Sequence, residues 1–306
     1  MPFEWYYFDV HDPRNLDAVL TIHTLPFNSL FSVSIIDIFI YRDGHKWLHE
    51  FIVLPRNQLR KKDAPLEIHF DSRNYLLQDG DKIQGTFAND AIQLTFRFHS
   101  PMLNQTPLRF QLLPQPSDAR QFNWMVLAPT GEATLEIQWN GNHIQIQGPA
   151  YHDANSGNIN FKQAIHHWFW AKFYLPDQLL IFGEIVDHQR QRRCIALGIR
   201  DDKVVVDEHP QKVEQENRLE LRTTFGTFLL VRNQQICVDD VYFYLPSVPA
   251  GFVWWGKLLE MLQFYFIKFR LHGLKRLLAN TRYLRYRTTW RYRDQSIQSF
   301  HEEMWL

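Results

Sequence analysis

The sequence is poor in cysteine and carries no net charge, and both features limit what the protein can be. Among 306 residues only Cys194 and Cys237 are cysteines. Two cysteines are too few for a disulfide framework, and their spacing is not that of a metal-binding motif. We therefore expect a reducing compartment, the cytoplasm. The 33 basic residues equal the 33 acidic residues in number, which argues against a general nucleic-acid-binding role.

Signals for export, membrane insertion and cofactor binding are also missing. The opening residues, MPFEWYYFDV, show no basic segment followed by an apolar run, so we expect no signal peptide. No stretch approaches the roughly 20 uncharged apolar residues of a membrane-spanning helix. Phosphate loops, nucleotide fingerprints and a Ser-His-Asp arrangement are not recognisable. Adjacent residues on a strand point to opposite faces, so His166 and His167 do not predict a metal site, and we expect neither metal nor cofactor.

Aromatic residues, in contrast, are abundant, with ten Trp, twelve Tyr and twenty-four Phe. Such residues favour half-buried pleated surfaces and line apolar cavities. Short segments with alternating apolar and polar residues follow one another, separated by turn sequences such as Asp43-Gly44 and Asn140-Gly141. This pattern predicts an all-β protein of meander barrels. Its length suits two domains, which we predict as residues 1–160 and 161–306 on either side of a polar break at 154–162.

One segment interrupts the β pattern. Apolar residues at helical spacing between 252 and 279 predict an amphipathic helix that is rich in aromatic and basic residues. Ten basic residues and one acid, Glu260, lie within 257–293. The helix either docks on a barrel mouth or lies peripherally on an anionic membrane. The strand that follows is predicted to turn alternate residues toward water or phosphate, namely Arg285, Arg287, Arg291 and Arg293.

The sequence YHDANSG at 151–157 is the candidate working site. On a strand, Tyr151 and Asp153 share one face and His152 points to the other. Burial beside a phenol disfavours the charged form of a carboxyl group. Asp153 could then donate a proton to an alkene, an enol ether or an epoxide near neutral pH. The alternative is that Asp153 and Asn155 cap a turn and have no chemical role.

Three motifs resemble a known family. They are EWYYFD at 4–9, WMVLAP at 124–129 and the segment 148–157, and they occur in the order and spacing of the carotenoid 1,2-hydratase (hydroxyneurosporene synthase) family and its AttH-like relatives. The resemblance covers essentially the whole chain. It implies two lipocalin-like (calycin) antiparallel β-barrels with an apolar ligand at their junction. In hydratase members it implies protonation of an isoprenoid double bond by an Asp, followed by addition of water.

The resemblance also assigns roles to residues. It implies that Asp153 is the general acid, that Tyr151 is its hydrogen-bonding neighbour, and that His152 or Asn155 orients Asp153 or a water. Trp124 would stabilise a developing cation through its ring. Further contacts with substrate are expected at four residues, Glu4, Trp5, Trp168 and Trp170. For Glu4 the alternative is that it belongs to a barrel-closing edge strand, with Glu4 paired to an arginine.

Other functions stay open at this stage. Ala154 and Ser156 stand where many hydratases have His and Trp. Isomerisation or cyclisation of a lipophilic isoprenoid-type molecule is therefore as compatible with the sequence as hydration is. A non-catalytic carrier of a lipid or pigment, or a structural protein with a plugged interior, would show the same strand pattern.

Overall fold

The structure, a computed structural model, describes residues 2–26, 32–117, 120–201, 203–243, 258, 262 and 281–306. Two compact units are present, Met1–Gln111 with Ala119–Asn158 and Leu112–Asp118 with Ile159–Leu306. Strands dominate both units, so the prediction of an all-β fold is confirmed. The helix predicted at 252–279 lies outside the described residues except for Leu258 and Leu262, which are helical.

The first unit is an antiparallel sheet that curls into a half-barrel. Its strands are β1 (Phe3–Asp12), β2 (Leu16–Leu25), β3 (Val33–Arg42), β4 (His45–Pro55), β5 (Arg60–Asp63), β6 (Leu66–Asp71), β7 (Asn74–Asp79), β8 (Lys82–Ala88), β9 (Ile92–His99), β10 (Leu108–Gln111), β11 (Phe122–Trp139) and β12 (Asn142–Gly157). Their order is β4-β3-β2-β1-β12-β11-β9-β8-β7-β6-β5, and β10 pairs with β11. Short 3-10 turns occur at Arg56–Gln58 and Pro101–Asn104.

The second unit begins with the short helix α1 (Phe161–Ala164) and forms another antiparallel half-barrel. Its strands are β13 (His167–Tyr174), β14 (Leu179–Val186), β15 (Arg192–Arg200), β16 (Lys203–Asp207), β17 (Gln211–Gln215), β18 (Arg218–Thr223), β19 (Gly226–Phe243), β20 (Thr281–Tyr292) and β21 (Gln295–Trp305). Their order is β16-β15-β14-β13-β21-β20-β19-β18-β17.

Turn residues connect the strands as the sequence predicts. Asp43 and Gly44 join β3 to β4, and Asn140 and Gly141 join β11 to β12, all with positive φ. Two-residue hairpins favour turns with positive φ because their twist matches that of the flanking strands. The hairpins predicted at these two sites are therefore confirmed.

The two units repeat one arrangement of strands. In each, a four-strand meander (β1–β4 or β13–β16) has its first strand paired with the last strand of the unit (β12 or β21). That last strand pairs in turn with the preceding long strand (β11 or β20). The common order makes the positions of one unit comparable with those of the other.

Strand β12 runs through the whole YHDANSG segment. It pairs with β1 from Val10 to Phe3 and with β11 on its other side, as far as Gly157 in both cases. The interpretation of Asp153 and Asn155 as residues that cap a turn is therefore wrong, and the break predicted at 154–162 starts too early. The polar residues of this segment favoured a turn in the sequence. Hydrogen bonds to two neighbouring strands override this local preference.

Each half-barrel buries a hydrophobic face. In the first unit this face includes Phe8 and Val10 of β1, and in the second it includes Phe169 and Ala171 of β13. The opposite face of β1 is also buried, because Trp5, Tyr7 and Asp9 are all less than one tenth exposed. Asp153 belongs to this opposite face, since it lies directly across from Tyr7 in the β1–β12 register.

Strand β20 departs from one prediction. Arg285 does not face water or phosphate, because it is buried and pairs with Glu302 at 2.9 Å. Arg291 is exposed as predicted. Arg282 of the same strand, which was not among the predicted residues, is also exposed and pairs with Asp240. Peripheral membrane contact through 257–293 stays a prediction. Within the part of the chain that the structure describes, no helix is long and apolar enough to cross a membrane.

Candidate functional site

The carboxyl group of Asp153 is the centre of a buried hydrogen-bond network. Trp124 Nε1 donates to Oδ2 at 2.8 Å, and the Tyr151 hydroxyl donates to the same oxygen at 2.7 Å. Asn155 Nδ2 donates to Oδ1 at 3.0 Å. Asp153 itself is only 4% exposed. Four residues named from the sequence are thus brought together, one from β11 and three from alternate positions of β12.

The three donors differ in what they can do for the carboxyl group. The indole N–H and the amide NH₂ can only donate, whereas a phenol can donate or accept. Burial, the nearby Asp153 charge and the hydrogen bond to Asp153 raise the pKa of Tyr151 well above its ordinary value, so this phenol keeps its proton. Tyr151 is therefore the partner that can accept a hydrogen bond when Asp153 itself carries a proton.

Aromatic rings surround the network on the same face. Tyr7 lies across from Asp153, and its ring centroid is 6.2 Å from that of Tyr151 in an edge-on arrangement. Trp5 lies across from Asn155 and stacks on Phe3 at 5.2 Å. Apolar rings around a carboxyl group exclude water and strengthen electrostatic interactions at that point.

His152 lies on the other face of β12. Its ring stacks on Phe8 at 3.8 Å within the hydrophobic side of the sheet, and its Nδ1 donates to the Tyr7 carbonyl oxygen at 3.0 Å. Nε2 has no hydrogen-bond partner among the described residues. The catalytic role proposed for His152 is therefore not supported by its position, because a side chain on this face points away from Asp153.

His152 should instead make the protein sensitive to acid. Burial lowers its pKa from 6.5 to about 3. Its contribution to stability is complete above about pH 6.5 and is lost as the pH falls toward 3, since the unfolded chain alone binds the proton in that range. In His152→Phe we expect the free energy of unfolding to depend less steeply on pH, by about 1.4 kcal/mol per pH unit. Urea unfolding between these limits measures the slope, and His143→Phe at an exposed site should leave it unchanged.

Glu4 is an ion-pair residue on β1, which lies between β2 and β12 and is not the edge strand that was predicted. It pairs with Lys61 and accepts a hydrogen bond from the Thr24 hydroxyl. The partner is thus a lysine and not the arginine considered from the sequence. Lys61 also contacts Asp63 at 2.9 Å, and Tyr6 donates to Asp63 at 3.0 Å. These contacts link β1 to β5, so Glu4 has a structural role in holding the two strands together.

Trp168 and Trp170 lie on β13 of the second unit. Trp168 packs edge-on against Phe161 and Tyr283 at 6.0 and 6.3 Å. Trp170 lies across from Glu302 of β21. In the second unit these two tryptophans occupy the positions that Trp5 and Tyr7 have in the first. Trp170 lies across from an acid of the last strand, as Tyr7 lies across from Asp153. Their contact with substrate stays a prediction.

Glu302 is the counterpart of Asp153. Each acid follows a histidine, His301 or His152, that faces the hydrophobic side of its sheet. Each also hydrogen-bonds with an aromatic donor on the preceding long strand, Tyr283 for Glu302 and Trp124 for Asp153.

The two acids differ in the residue directly across from them on that strand. This residue is Arg285 beside Glu302, and it donates to Glu302 at 2.9 Å, whereas it is Val126 beside Asp153. The two acids thus differ in the charge of this one residue.

Comparison with known proteins identifies the family. A family model described as carotenoid hydratase CrtC matches residues 59–279, more than half of the chain. The chain belongs to the carotenoid hydratase CrtC family. The matched range contains Trp124 and the YHDANSG segment and starts after Glu4 and Trp5. The family resemblance noted in the sequence is confirmed.

Solved structures share the fold of this CrtC family member. A protein provisionally assigned as AttH from Nitrosomonas europaea is 13% identical with a TM-score of 0.55, over 100% of this chain and 92% of its own. CghA in complex with Sch210972 is 10% identical with a TM-score of 0.63, over 99% and 87% of the two chains. Such low identities show a common fold. Among proteins of curated function, none matches the sequence significantly.

Residues of β1 and β2 near the site were not named from the sequence. Asp9 and His11 continue the face of Trp5 and Tyr7, and Asp17 lies across from His11 on β2. The signal was present, because Trp5, Tyr7, Asp9 and His11 alternate along one strand. Only the pairing of β1 with β12 reveals that this face is the one that carries Asp153.

The two adjacent histidines of the second unit are closer than alternation would place them. His166 Nδ1 and His167 Nδ1 are 2.9 Å apart, because His166 precedes β13 and does not follow its alternation. Over the described ranges no three side chains of His, Cys, Asp or Glu converge as metal ligands would.

Proposed function

We propose that this protein adds water to a carbon–carbon double bond of a lipophilic isoprenoid by acid catalysis, without a cofactor. Membership of the carotenoid hydratase CrtC family supports the substrate class. The observation that carries the reaction type is the buried Asp153 carboxyl with its three uncharged donors. The contrast with Glu302, which pairs with Arg285 at 2.9 Å, supports Asp153 as the acid.

The proposed steps start from protonated Asp153. Its proton would pass to one carbon of the double bond, whose π electrons form the new C–H bond and leave a tertiary cation. Water would then add to the cation, and the resulting oxonium would release a proton to a second water, which leaves Asp153 as a carboxylate that regains a proton from solvent before the next turnover. The net reaction consumes one alkene and one water and forms one alcohol. Isomerisation or cyclisation would start from the same cation and differ only in how it is quenched.

Side chains of the network would stabilise the charge-separated state. Trp124 and Asn155 donate to Asp153 throughout, and these hydrogen bonds strengthen once the carboxylate forms. Trp124 donates to Asp153 and Tyr7 lies across from it, and their electron-rich rings would attract the cation. Preorganised donors of this kind lower the barrier because they need no rearrangement during the reaction.

Tyr151 would respond to the protonation state of Asp153. With a proton on Asp153, its hydroxyl would rotate and accept, and after proton transfer it would donate to the carboxylate, as it does at 2.7 Å in the structure. A phenol can make both hydrogen bonds without moving its ring. The corresponding residue of the second unit is Phe300, which lacks the hydroxyl.

Tyr151→Phe should therefore slow the reaction without unfolding the protein. Loss of one hydrogen bond to a charged group costs about 1.5–3 kcal/mol, so we expect turnover to fall about 10- to 100-fold. Initial rates with wild type and variant measure the effect, and circular dichroism checks the fold. Unchanged turnover in a folded Tyr151→Phe protein would contradict the role given to the hydroxyl.

Conversion of lycopene, an acyclic carotenoid, in detergent micelles tests the proposal. Mass spectrometry should find a product that has gained one water, and in D₂O the product should carry deuterium on the newly protonated carbon. A product that has gained no water but carries deuterium would indicate isomerisation or cyclisation. Binding of lycopene without any deuterium incorporation would overturn acid catalysis and identify a carrier.

A further inference from the structure

Three titratable side chains form a cluster beside the Asp153 network. His11 Nδ1 lies 2.9 Å from Asp17 Oδ1, and His11 Nε2 lies 3.5 Å from Asp9 Oδ1. Asp9 is fully buried, and the side chain of His11 is 18% exposed. The imidazole is thus held between two carboxylates, with an edge that solvent can reach.

The cluster adjoins Tyr151. Asp9 lies directly across from Tyr151 in the β1–β12 register, so the two side chains share a face. The charge of Asp9 contributes to the raised pKa of Tyr151, after burial and Asp153. Tyr151 in turn donates to Asp153. The order along this face is therefore Asp17, His11, Asp9, Tyr151 and Asp153.

The second unit shows that the fold does not require these groups. At the position of Asp9 it has Lys172, and at the position of Tyr151 it has Phe300. The positions of His11 and Asp17 hold Tyr174 and Leu179, which also face each other across two strands. Two of the four links, Tyr151 and Asp17, are thus replaced by Phe300 and Leu179, which carry no transferable proton.

We infer that Asp9, His11 and Asp17 form a proton relay that reloads Asp153 through Tyr151. The inference rests on the proposed function. The three side chains would not touch the substrate and would act on it only through Tyr151 and Asp153. A proton of His11 Nε2 would pass to Asp9, and the Tyr151 hydroxyl would take a proton from the Asp9 side as it gives its own to Asp153. His11 Nε2, which is itself buried, then regains a proton from water that enters past the imidazole, whose side chain is 18% exposed. One proton moves inward and no electrons are transferred.

The relay requires a proton on each ring nitrogen of His11, because each faces a carboxylate oxygen. Nitrogen NMR of the ligand-free wild-type protein near neutral pH should show both nitrogens protonated. In Asp9→Asn the Nε2 proton should be lost, and the Nδ1 proton on the Asp17 side should remain. An unprotonated Nε2 in the wild type would overturn the relay, whatever the substrate is.

Chemical rescue tests the transfer itself. With lycopene, His11→Ala should lower turnover about 100-fold, the lower end of the range for acid–base groups. Added imidazole should raise the turnover of His11→Ala at least about tenfold. If the role of His11 were purely structural, free imidazole would not raise the rate. The matched control is His49→Ala, which removes another imidazole of this face, 3.2 Å from Asp37 and away from Tyr151. We expect this variant to retain turnover, and we expect its rate not to change when imidazole is added.

The outcomes separate the relay from the proposed function. Loss of turnover in Asp153→Asn together with full activity in a folded His11→Ala protein would overturn the relay and leave acid catalysis in place. Full turnover in Asp153→Asn would overturn acid catalysis. A loss in His11→Ala that imidazole does not restore would also overturn the relay, since it indicates a structural contribution.

Discussion

Asp153→Asn should abolish turnover and leave the fold intact. An amide cannot release a proton near neutral pH, so we expect the rate to fall about 10²- to 10⁴-fold, the usual contribution of a general acid. The network can absorb the change, because Asn155 can turn its amide to accept from the new NH₂ group. Trp124 and Tyr151 can still donate to the remaining oxygen. Single-turnover rates with lycopene measure the loss.

The repeat provides a matched control for this experiment. Glu302→Gln makes the same acid-to-amide change at the equivalent position of the second unit. We expect it to keep wild-type turnover at a temperature where it is folded, because Glu302 is an ion-pair partner of Arg285. A rate loss of similar size in both variants would mean that acid chemistry is not specific to Asp153.

Glu302→Gln should instead destabilise the protein. Arg285 is buried, with Glu302 Oε1 at 2.9 Å and Asp239 Oδ2 at 3.9 Å. Removing one charge of a buried pair leaves a guanidinium with less compensation, and we expect the free energy of unfolding to fall by about 3 kcal/mol. This is the lower end of the usual range because the glutamine oxygen can still accept. Urea denaturation followed by tryptophan fluorescence measures the loss.

Glu303→Gln tests whether the loss is specific. Glu303 is the next residue on β21, and burial and the charge of Glu214 raise its pKa, so its charged form is disfavoured in the folded protein. Replacing it with a neutral amide should change the free energy of unfolding little or raise it. A comparable loss at both positions would indicate general sensitivity of β21, and the Arg285 pair would not be its cause.

Local patterns were sufficient to predict much of the fold. Alternation of apolar and polar residues predicted strands such as β3 and β4, and Asp43-Gly44 predicted their turn. These features depend on neighbouring residues alone, since side chains alternate on any strand and positive φ suits few residue types. At 154–157 the same local rules failed, because pairing with β1 and β11 keeps the polar segment extended.

The candidate site was predictable only in part. Alternation placed Tyr151 and Asp153 on one face and His152 on the other, and the structure agrees. Trp124 came from family resemblance, because the register of the β11–β12 hairpin shifts twice between the Asn140-Gly141 turn and Trp124. The assignment of His152 to the site did not follow from alternation, which placed this residue on the face opposite Asp153. In the structure its ring stacks on Phe8, on the hydrophobic side of the sheet.

The sequence by itself determined the strand class of the fold, its hairpins and the chemical groups of the YHDANSG segment. Only the tertiary structure decided which acid lies across from a valine and which from an arginine. Asp153 and Glu302 occupy equivalent strands, and the residue across from each is set by the register with β11 or β20. The same pairing decided that Asp9, His11 and Asp17 adjoin Tyr151. Protonation of a buried carboxyl group depends on charges within a few ångströms, and chain folding sets those distances.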